Sequence, residues 1–303
     1  MRNGNLEQAK RAKNDEFYTR RQDIEAELVH WRDTLRGKSV LCNCNDFVHT
    51  GFLDYFSENF DALGLKKLVC TEYSPGAEQV SVCVRTTDSC ETVLLAGDGD
   101  FRSKACMELM EQADIVITNP PFSLFREFVQ TLAAWGGRFL IIGSMNAVTY
   151  GTVFRMIQKD ALWLGHTKPK VFNTARGWQK FGNICWFTNL DKPERHEKLS
   201  LHIGYSEADN PAYVNYPAIE VARVAWIPCD YDGEMGVPIS FLEQYCPEQF
   251  RIVGFSGELA RPMEECVPDG SDYVKGGPRF YLKSGENQYK RCYDRIVIQR
   301  TDV

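Results

Sequence analysis

The chain has 303 residues, 44% of them hydrophobic and 25% charged, with a formal net charge of −6. That length builds one large domain or two ordinary ones around a substantial core, and the composition is that of a soluble globular protein. No apolar run approaches the ~18 residues of a membrane-spanning helix, and the acidic total argues against a uniformly basic nucleic-acid binder.

The first twenty residues, "MRNGNLEQAKRAKNDEFYTR", are polar and charged with no apolar centre. They do not read as a secretory signal, so an intracellular, cytoplasmic protein is expected. "KSVLCNC" (38–44) predicts a strand, followed by an amphipathic segment around "HTGFLDYFSENFDALG". "LKKLVCTEY" (65–73) predicts a second strand and "ETVLLAGD" (91–98) a third. A helix around "RSKACMELMEQA" then leads into "DIVITN" (114–119), the helix-like "REFVQTLAAWG" and the strand "GRFLIIGS" (137–144). Strand and helix alternating in this way predict a mostly parallel sheet covered on both faces. Such sheets bind ligands at the carboxyl ends of their strands.

The rhythm changes after about Trp163. "FGNICWFTNL" (181–190) predicts a strand forming a hairpin with residues near Lys170 to Phe172. "LDKPERHEKLS" reads as a linker, and the remainder, rich in Gly, Pro and Tyr, predicts a second, irregular α+β domain. The expected division is residues 1–195 and 196–303. Basic residues gather locally despite the acidic total. Lys168, Lys170, Arg176 and Lys180 have no acid between them, and Lys275, Arg279, Lys283, Lys290, Arg291, Arg295 and Arg300 dominate the C-terminal stretch. Eleven cysteines could suggest a metal site, yet none forms a CxxC pair and Cys42-Asn43-Cys44 has no partner cluster. Reduced thiols and no metal are expected.

Chemistry concentrates in "DIVITNPPFSLFREFV" (114–129), where a β-branched run stops at Asn119-Pro120-Pro121-Phe122. An exocyclic amine on a base is a poor nucleophile because its lone pair is delocalised into the ring. Two acceptors gripping its hydrogens, the Asn119 side-chain oxygen and the Pro120 carbonyl, draw that nitrogen towards tetrahedral geometry. Neither proline has an N–H, and their fixed φ stiffens the loop. Phe122 offers a face on which an extruded base can stack. Orientation of this kind supplies rate without a shifted pKa.

The tetrad and its setting resemble the amino-methyltransferases that use S-adenosylmethionine (AdoMet). Over nearly its full length, through "NDEFYTR", "VLCNCND", "NPPFSLFREF", "CWFTNL" and "IPCDYDGEMGVPISFLEQY", the chain resembles the EcoRI-type adenine-specific DNA methyltransferase family. The resemblance implies a Rossmann-like AdoMet-dependent methyltransferase sheet with helices on both faces (residues 1–195), plus a smaller α+β target-recognition domain (196–303). It implies AdoMet as cofactor, double-stranded DNA as partner, and methylation of the N6 amino group of a flipped adenine, with a monomer favoured. Phe17, Tyr18 and Thr19 are implied to close over the methionine end of AdoMet. Asn43, Asn45 and Asp46, in a turn without the usual glycines, are implied to meet its amino-acid moiety. Glu72 is implied to accept from the ribose hydroxyls. Asp100, with Asp98 as rival, is implied to accept from the cofactor's adenine, with Phe101 covering its ring. Other planar amines, namely an RNA base, cytosine N4 or a glutamine amide, remain possible acceptors, as does an inactive DNA-binding relative.

Overall fold

The computed structural model describes residues 17–45, 51–174 and 177–301, and of Cys44 and Asn45 the main chain only. Asp46 and Arg176 lie outside the described residues. Two compact units emerge: residues 1–153 with 162–190, and residues 154–161 with 191–303.

The first unit opens with β1 (Tyr18–Thr19), α1 (Arg21–Leu28) and α2 (Arg32–Leu35). Strands β2 (Ser39–Asn45) and β3 (Lys67–Glu72) flank α3 (Gly51–Leu63) and continue into β4 (Gln79–Thr86) and β5 (Cys90–Ala96). Next come α4 (Lys104–Glu111), β6 (Ile115–Thr118), α5 (Phe125–Trp135), β7 (Arg138–Ser144) and α6 (Gly151–Gln158), the last of which ends in the second unit. The unit closes with β8 (Trp163–Leu164), β9 (Val171–Thr174), β10 (Gly177–Lys180) and β11 (Ile184–Thr188). Gly136, in the left-handed region at φ 75°, ends α5 with its N–H on the Leu132 carbonyl, so the glycine after "LAAW" is a true stop signal.

Eight of these strands make one sheet in the order β5-β4-β3-β2-β6-β7-β11-β8. The central neighbours β3, β2, β6 and β7 run parallel. Here the expected, mostly parallel sheet is corrected to a mixed one: β4 and β11 run against the other six strands. Residues 91–98 supply the expected third strand as β5, which runs in the same direction as β3 but joins the sheet through the intervening antiparallel β4, a strand the pattern missed, and β5 forms the sheet edge. β11 joins the sheet antiparallel to β7 rather than pairing with 170–172. Its "ICWFT" is buried throughout, so a long apolar run was right for a strand and uninformative about its partner. The 170–172 segment instead forms the hairpin β9-β10, with β1 on its other edge.

Helices cover both faces of the sheet, as the ring contacts of β11 make plain. Trp186 meets Phe52 of α3 at 6.2 Å, and the next residue, Phe187, meets Phe125 of α5 at 5.2 Å. Alternate residues on the first face, including Val40, Leu68, Ile115, Ile117, Leu140 and Ile142, join the helical core of Ile24, Leu28, Phe56 and Phe60. The buried Glu27 carboxylate ties α1 to the loop after β8, accepting from Trp31 Nε1 (3.0 Å), His166 N (2.9 Å) and Thr167 N (2.6 Å). Those charge-assisted bonds satisfy an ion that burial would otherwise destabilise.

In the second unit, β12 (Ile219–Glu220), β13 (Met235–Pro238), β14 (Phe250–Phe255) and β18 (Arg295–Arg300) form a sheet ordered β12-β13-β18-β14. Helix α7 (Ser256–Leu259) follows β14, and β15 (Asp272–Tyr273), β16 (Tyr281–Gly285) and β17 (Gln288–Arg291) form a three-stranded sheet. Apart from the end of α6, α7 is the one α-helix among the described residues of this unit. Its centre is an ion pair: Arg295 Nε donates to Glu220 at 3.0 and 3.1 Å, and Tyr213 Oη donates to the same carboxylate.

No helix among the described residues is long and apolar enough to cross a membrane. Among them also, no group of three or more His, Cys, Asp or Glu side chains could hold a metal ion. Cys42 and Cys70 are register partners on β2 and β3, and hydrogen bonding to Cys42 together with burial keeps the Cys70 thiol protonated well above its ordinary range.

Candidate active site

Parallel strands in adjacent positions deliver their carboxyl ends side by side. The ends of β3, β2 and β6 carry Glu72, the Asn43–Asn45 segment and Asn119. Asn45 pairs in register with Glu72, and Thr118 Oγ1 donates to the Asn43 carbonyl, which locks β2 to β6 just before the tetrad.

At Asn119 the side chain is held from one end only. Its Nδ2 donates to the Phe17 carbonyl, while Oδ1 is buried and accepts from no described residue. A buried carbonyl oxygen left without a donor is destabilising by ~1–3 kcal/mol, so an aimed and unfilled acceptor marks a position for an incoming N–H. The Pro121 carbonyl accepts from Leu124 N at 2.9 Å and closes the turn into α5. Gly143 on β7 lets that helix approach, since a Cβ there would sit 2.3 Å from the Phe125 ring.

Phe122 is 8% exposed and packs among Phe17 (5.5 Å), Phe172 (6.1 Å) and Phe181 (6.3 Å). The four rings come from β1's flank, the tetrad, β9 and the turn before β11. Each buried Phe contributes roughly 1.5–3 kcal/mol, so this cluster fixes the tetrad firmly. Phe172 is a residue that sequence reasoning missed. Its alternation with exposed Asn173 was the available signal, too short to stand out.

Asn43 is fully buried, and neither its Oδ1 nor its Nδ2 has a hydrogen-bond partner among the described residues. Thr19 is also buried, its Oγ1 likewise unpartnered there. Its carbonyl approaches α3 so closely that a Cβ on Gly51 would lie 2.4 Å away. The glycine absent from "CNCND" therefore appears five residues after Asp46, where β1 meets the helix start. Tyr18 is half-buried on the opposite face of β1 from Thr19. Nothing is described of the Asn45 side chain.

Glu72 is half-buried, and its Oε2 accepts from Ser81 N at 3.2 Å. The Gly97–Phe101 loop reaches it through Gly99, whose φ is +77° and whose Cβ would lie 1.9 Å from the Glu72 carbonyl. That close approach also brings in Asp98, whose carbonyl accepts from Ser74 N at 2.9 Å. Only glycine fits, on both conformational and steric grounds. The two aspartates differ in what already holds them. Asp100 is gripped by Arg102, Nε to Oδ1 at 2.9 Å and Nη2 to Oδ2 at 2.6 Å, and this guanidinium holds its carboxyl below the usual range. Asp98 has one carboxylate oxygen on Asp100 N at 3.1 Å. Phe101 is 2% exposed, edge-on to Phe128 at 4.9 Å.

Among the aromatic residues that lie between these basic ones in sequence, Phe181, Phe280 and Tyr281 are core residues. Arg295 is engaged by Glu220 and Arg279 by Asp294, at 3.0 Å. Lys275, Lys283 and Lys290 are exposed on the second unit, and Lys168, Lys170 and Lys180 on the first.

Comparison with known proteins gives a consistent picture. A family profile described as "Adenine-specific methyltransferase EcoRI" matches residues 5–88 and 78–301. The chain is 39% identical to the type II methyltransferase M.EcoRI of Escherichia coli, over 82% of this chain and 88% of that protein. It is 39% identical to the type II methyltransferase M.MpnI of Mycoplasma pneumoniae, over 97% of this chain and 98% of that one. A Mycoplasma genitalium type II methyltransferase, M.MgeORF184P, is 34% identical over the same shares. No solved structure matches.

Proposed function

The chain belongs to the EcoRI-type family of adenine-specific type II DNA methyltransferases, and from that membership we propose that it methylates the N6 amino group of an adenine flipped out of duplex DNA. The observation that carries this reading is the Asn119 amide, tethered through Nδ2 with its buried Oδ1 unfilled. An adenine amino group has two hydrogens, one for Asn119 Oδ1 and one for the Pro120 carbonyl. Accepting both aims the nitrogen lone pair and stabilises positive charge as it develops there. The buried Phe17, Phe172 and Phe181 rings hold Phe122 beside the tetrad, where its remaining exposed edge can flank the base.

AdoMet, as the methyl donor, supplies an electrophilic methyl carbon when bound. The residues at the strand ends fit that molecule. Glu72 is placed for the ribose hydroxyls, and Asn43 supplies an unfilled donor and acceptor for an amino-acid moiety. Of the two aspartates, Asp98 is better placed to receive the cofactor's adenine amine, because Arg102 engages both oxygens of Asp100. We assign residues 1–195 to a Rossmann-like catalytic domain and 196–303 to target recognition, with Lys275, Lys283 and Lys290 as phosphate contacts.

Glu72→Ala is expected to weaken AdoMet binding several-fold or more, in line with hydrogen bonds lost to two hydroxyls; unchanged affinity by calorimetry removes Glu72 from the site. Asp98→Ala is expected to weaken AdoMet more than Asp100→Ala does, and the reverse order in the same titrations returns the role to Asp100. The function itself is tested by expression in a methylation-free host and long-read mapping of modified bases. N6-methyladenine at one repeated sequence is the expected map. A blank map, or methyl groups on cytosine, overturns the reading.

A further inference from the structure

The hairpin of β9 and β10 has two unlike faces. In the three-stranded sheet β1-β9-β10, Thr19, Phe172 and Gln179 form one cross-strand row and Tyr18, Asn173 and Trp178 the next. Rows of neighbouring residues project to opposite faces. The first row faces inward: Phe172 is fully buried against Phe122 of the tetrad, and Thr19 is 5% exposed. The second faces solvent, and Trp178 there is 73% exposed. An indole held out in water on a strand clamped to a catalytic loop buries little of its surface against the described residues. Its stretch of chain carries one sign of charge: Lys168, Lys170 and Lys180 are exposed, and no acid occurs from residue 161 to residue 190. The same sheet reaches the catalytic amide, because Phe17, immediately before Tyr18, holds Asn119. Two strand spacings, about 10 Å, separate β10 from β1.

We propose that Trp178 inserts into the DNA stack at the base pair from which the target adenine leaves. This rests on the base-flipping reading above and adds the residue that sustains the flipped state. Extruding a base forfeits its pairing and stacking, and an aromatic wedge entering the vacated step replaces part of that stacking. The exposed lysines beside it engage the phosphates on either side. Because Phe172 on the reverse face packs on Phe122, the wedge and the acceptor pair move as one body.

The test compares Trp178→Ala and Trp178→Phe with the wild type on two duplexes carrying the mapped target. In one, the adenine is paired; in the other, it stands opposite an abasic site, so extrusion costs no base pair and the opposite strand already leaves a gap. Trp178→Ala is expected to lower kcat/KM on the paired duplex by about 5- to 150-fold, the range for losing one base–aromatic stack. On the abasic duplex the deficit is expected to shrink to about twofold, and Trp178→Phe is expected to recover most activity on both. Thermal unfolding and AdoMet affinity are expected to stay at wild-type values, since the Trp178 side chain is largely exposed. An unchanged kcat/KM overturns the proposal, as does an equal loss on both duplexes, which would make Trp178 a surface contact. A wild type that methylates neither duplex overturns the parent reading instead.

Discussion

Asn119→Ala lowers methyl-transfer turnover by at least about 100-fold, the scale of losing one preorganised polar group aimed at developing charge. Three features of the site lead to that expectation. The Oδ1 acceptor, buried and without a hydrogen-bond partner among the described residues, is removed outright. The Nδ2 bond to the Phe17 carbonyl is lost, at a net stability change of about 1 kcal/mol. AdoMet affinity, set at the ends of β2 and β3 and by the Gly97–Phe101 loop, changes little. Single-turnover kinetics on the mapped duplex, paired with calorimetry of AdoMet binding, separate the two. Turnover within tenfold of wild type defeats the acceptor-pair mechanism, and a collapse of both quantities shows that Asn119 acts through the fold.

Gly99→Ala is the second large effect. A methyl group at this position meets the Glu72 carbonyl at 1.9 Å, and the backbone sits at φ +77°. Both contacts are main chain, so neither relaxes by a rotamer change. We expect a stability loss of about 1–3 kcal/mol from backbone strain and a fall in AdoMet affinity of about tenfold or more as Glu72 and Asp98 are pushed apart. Gly97→Ala is the matched control. Its φ is +92°, yet nothing lies within 4 Å of the added carbon. It is expected to lose stability by strain alone and to bind AdoMet normally. Equal affinity losses in the two variants, measured by calorimetry after melting curves, would show that strain anywhere in the loop disturbs the site and that the Gly99 contact has no special part.

The central elements were legible from the residues because their signals are local. β-branched runs bounded by turn residues mark β3, β6 and β7, and "REFVQTLAAW" followed by glycine marks α5. The four-residue Asn-Pro-Pro-Phe pattern, at the end of one such run, stood out as the candidate for chemistry. Strand pairing was not legible. "ETVLLA" carries the same apolar content whether it pairs with a parallel neighbour or with an antiparallel hairpin strand, and the intervening β4 decided for the latter. "ICWFT" likewise declares a buried strand without declaring β7 as its partner.

The sequence by itself determined the family and the parallel centre of the sheet, and it singled out the Asn-Pro-Pro-Phe tetrad as the candidate site, because each rests on residues near one another in the chain. Tertiary structure alone decided which side chains are left for chemistry. Asn119 and Phe17 stand 102 residues apart and are joined by one hydrogen bond. Phe122 rests on rings from three other segments, Asp100 is engaged by Arg102 while Asp98 keeps acceptor capacity, and Gly99 brings its loop onto Glu72. Hydrogen bonding and close packing saturate at short range, so a polar atom's availability depends on what the folded chain brings within about 3 Å of it. No pattern of neighbours in sequence carries that information.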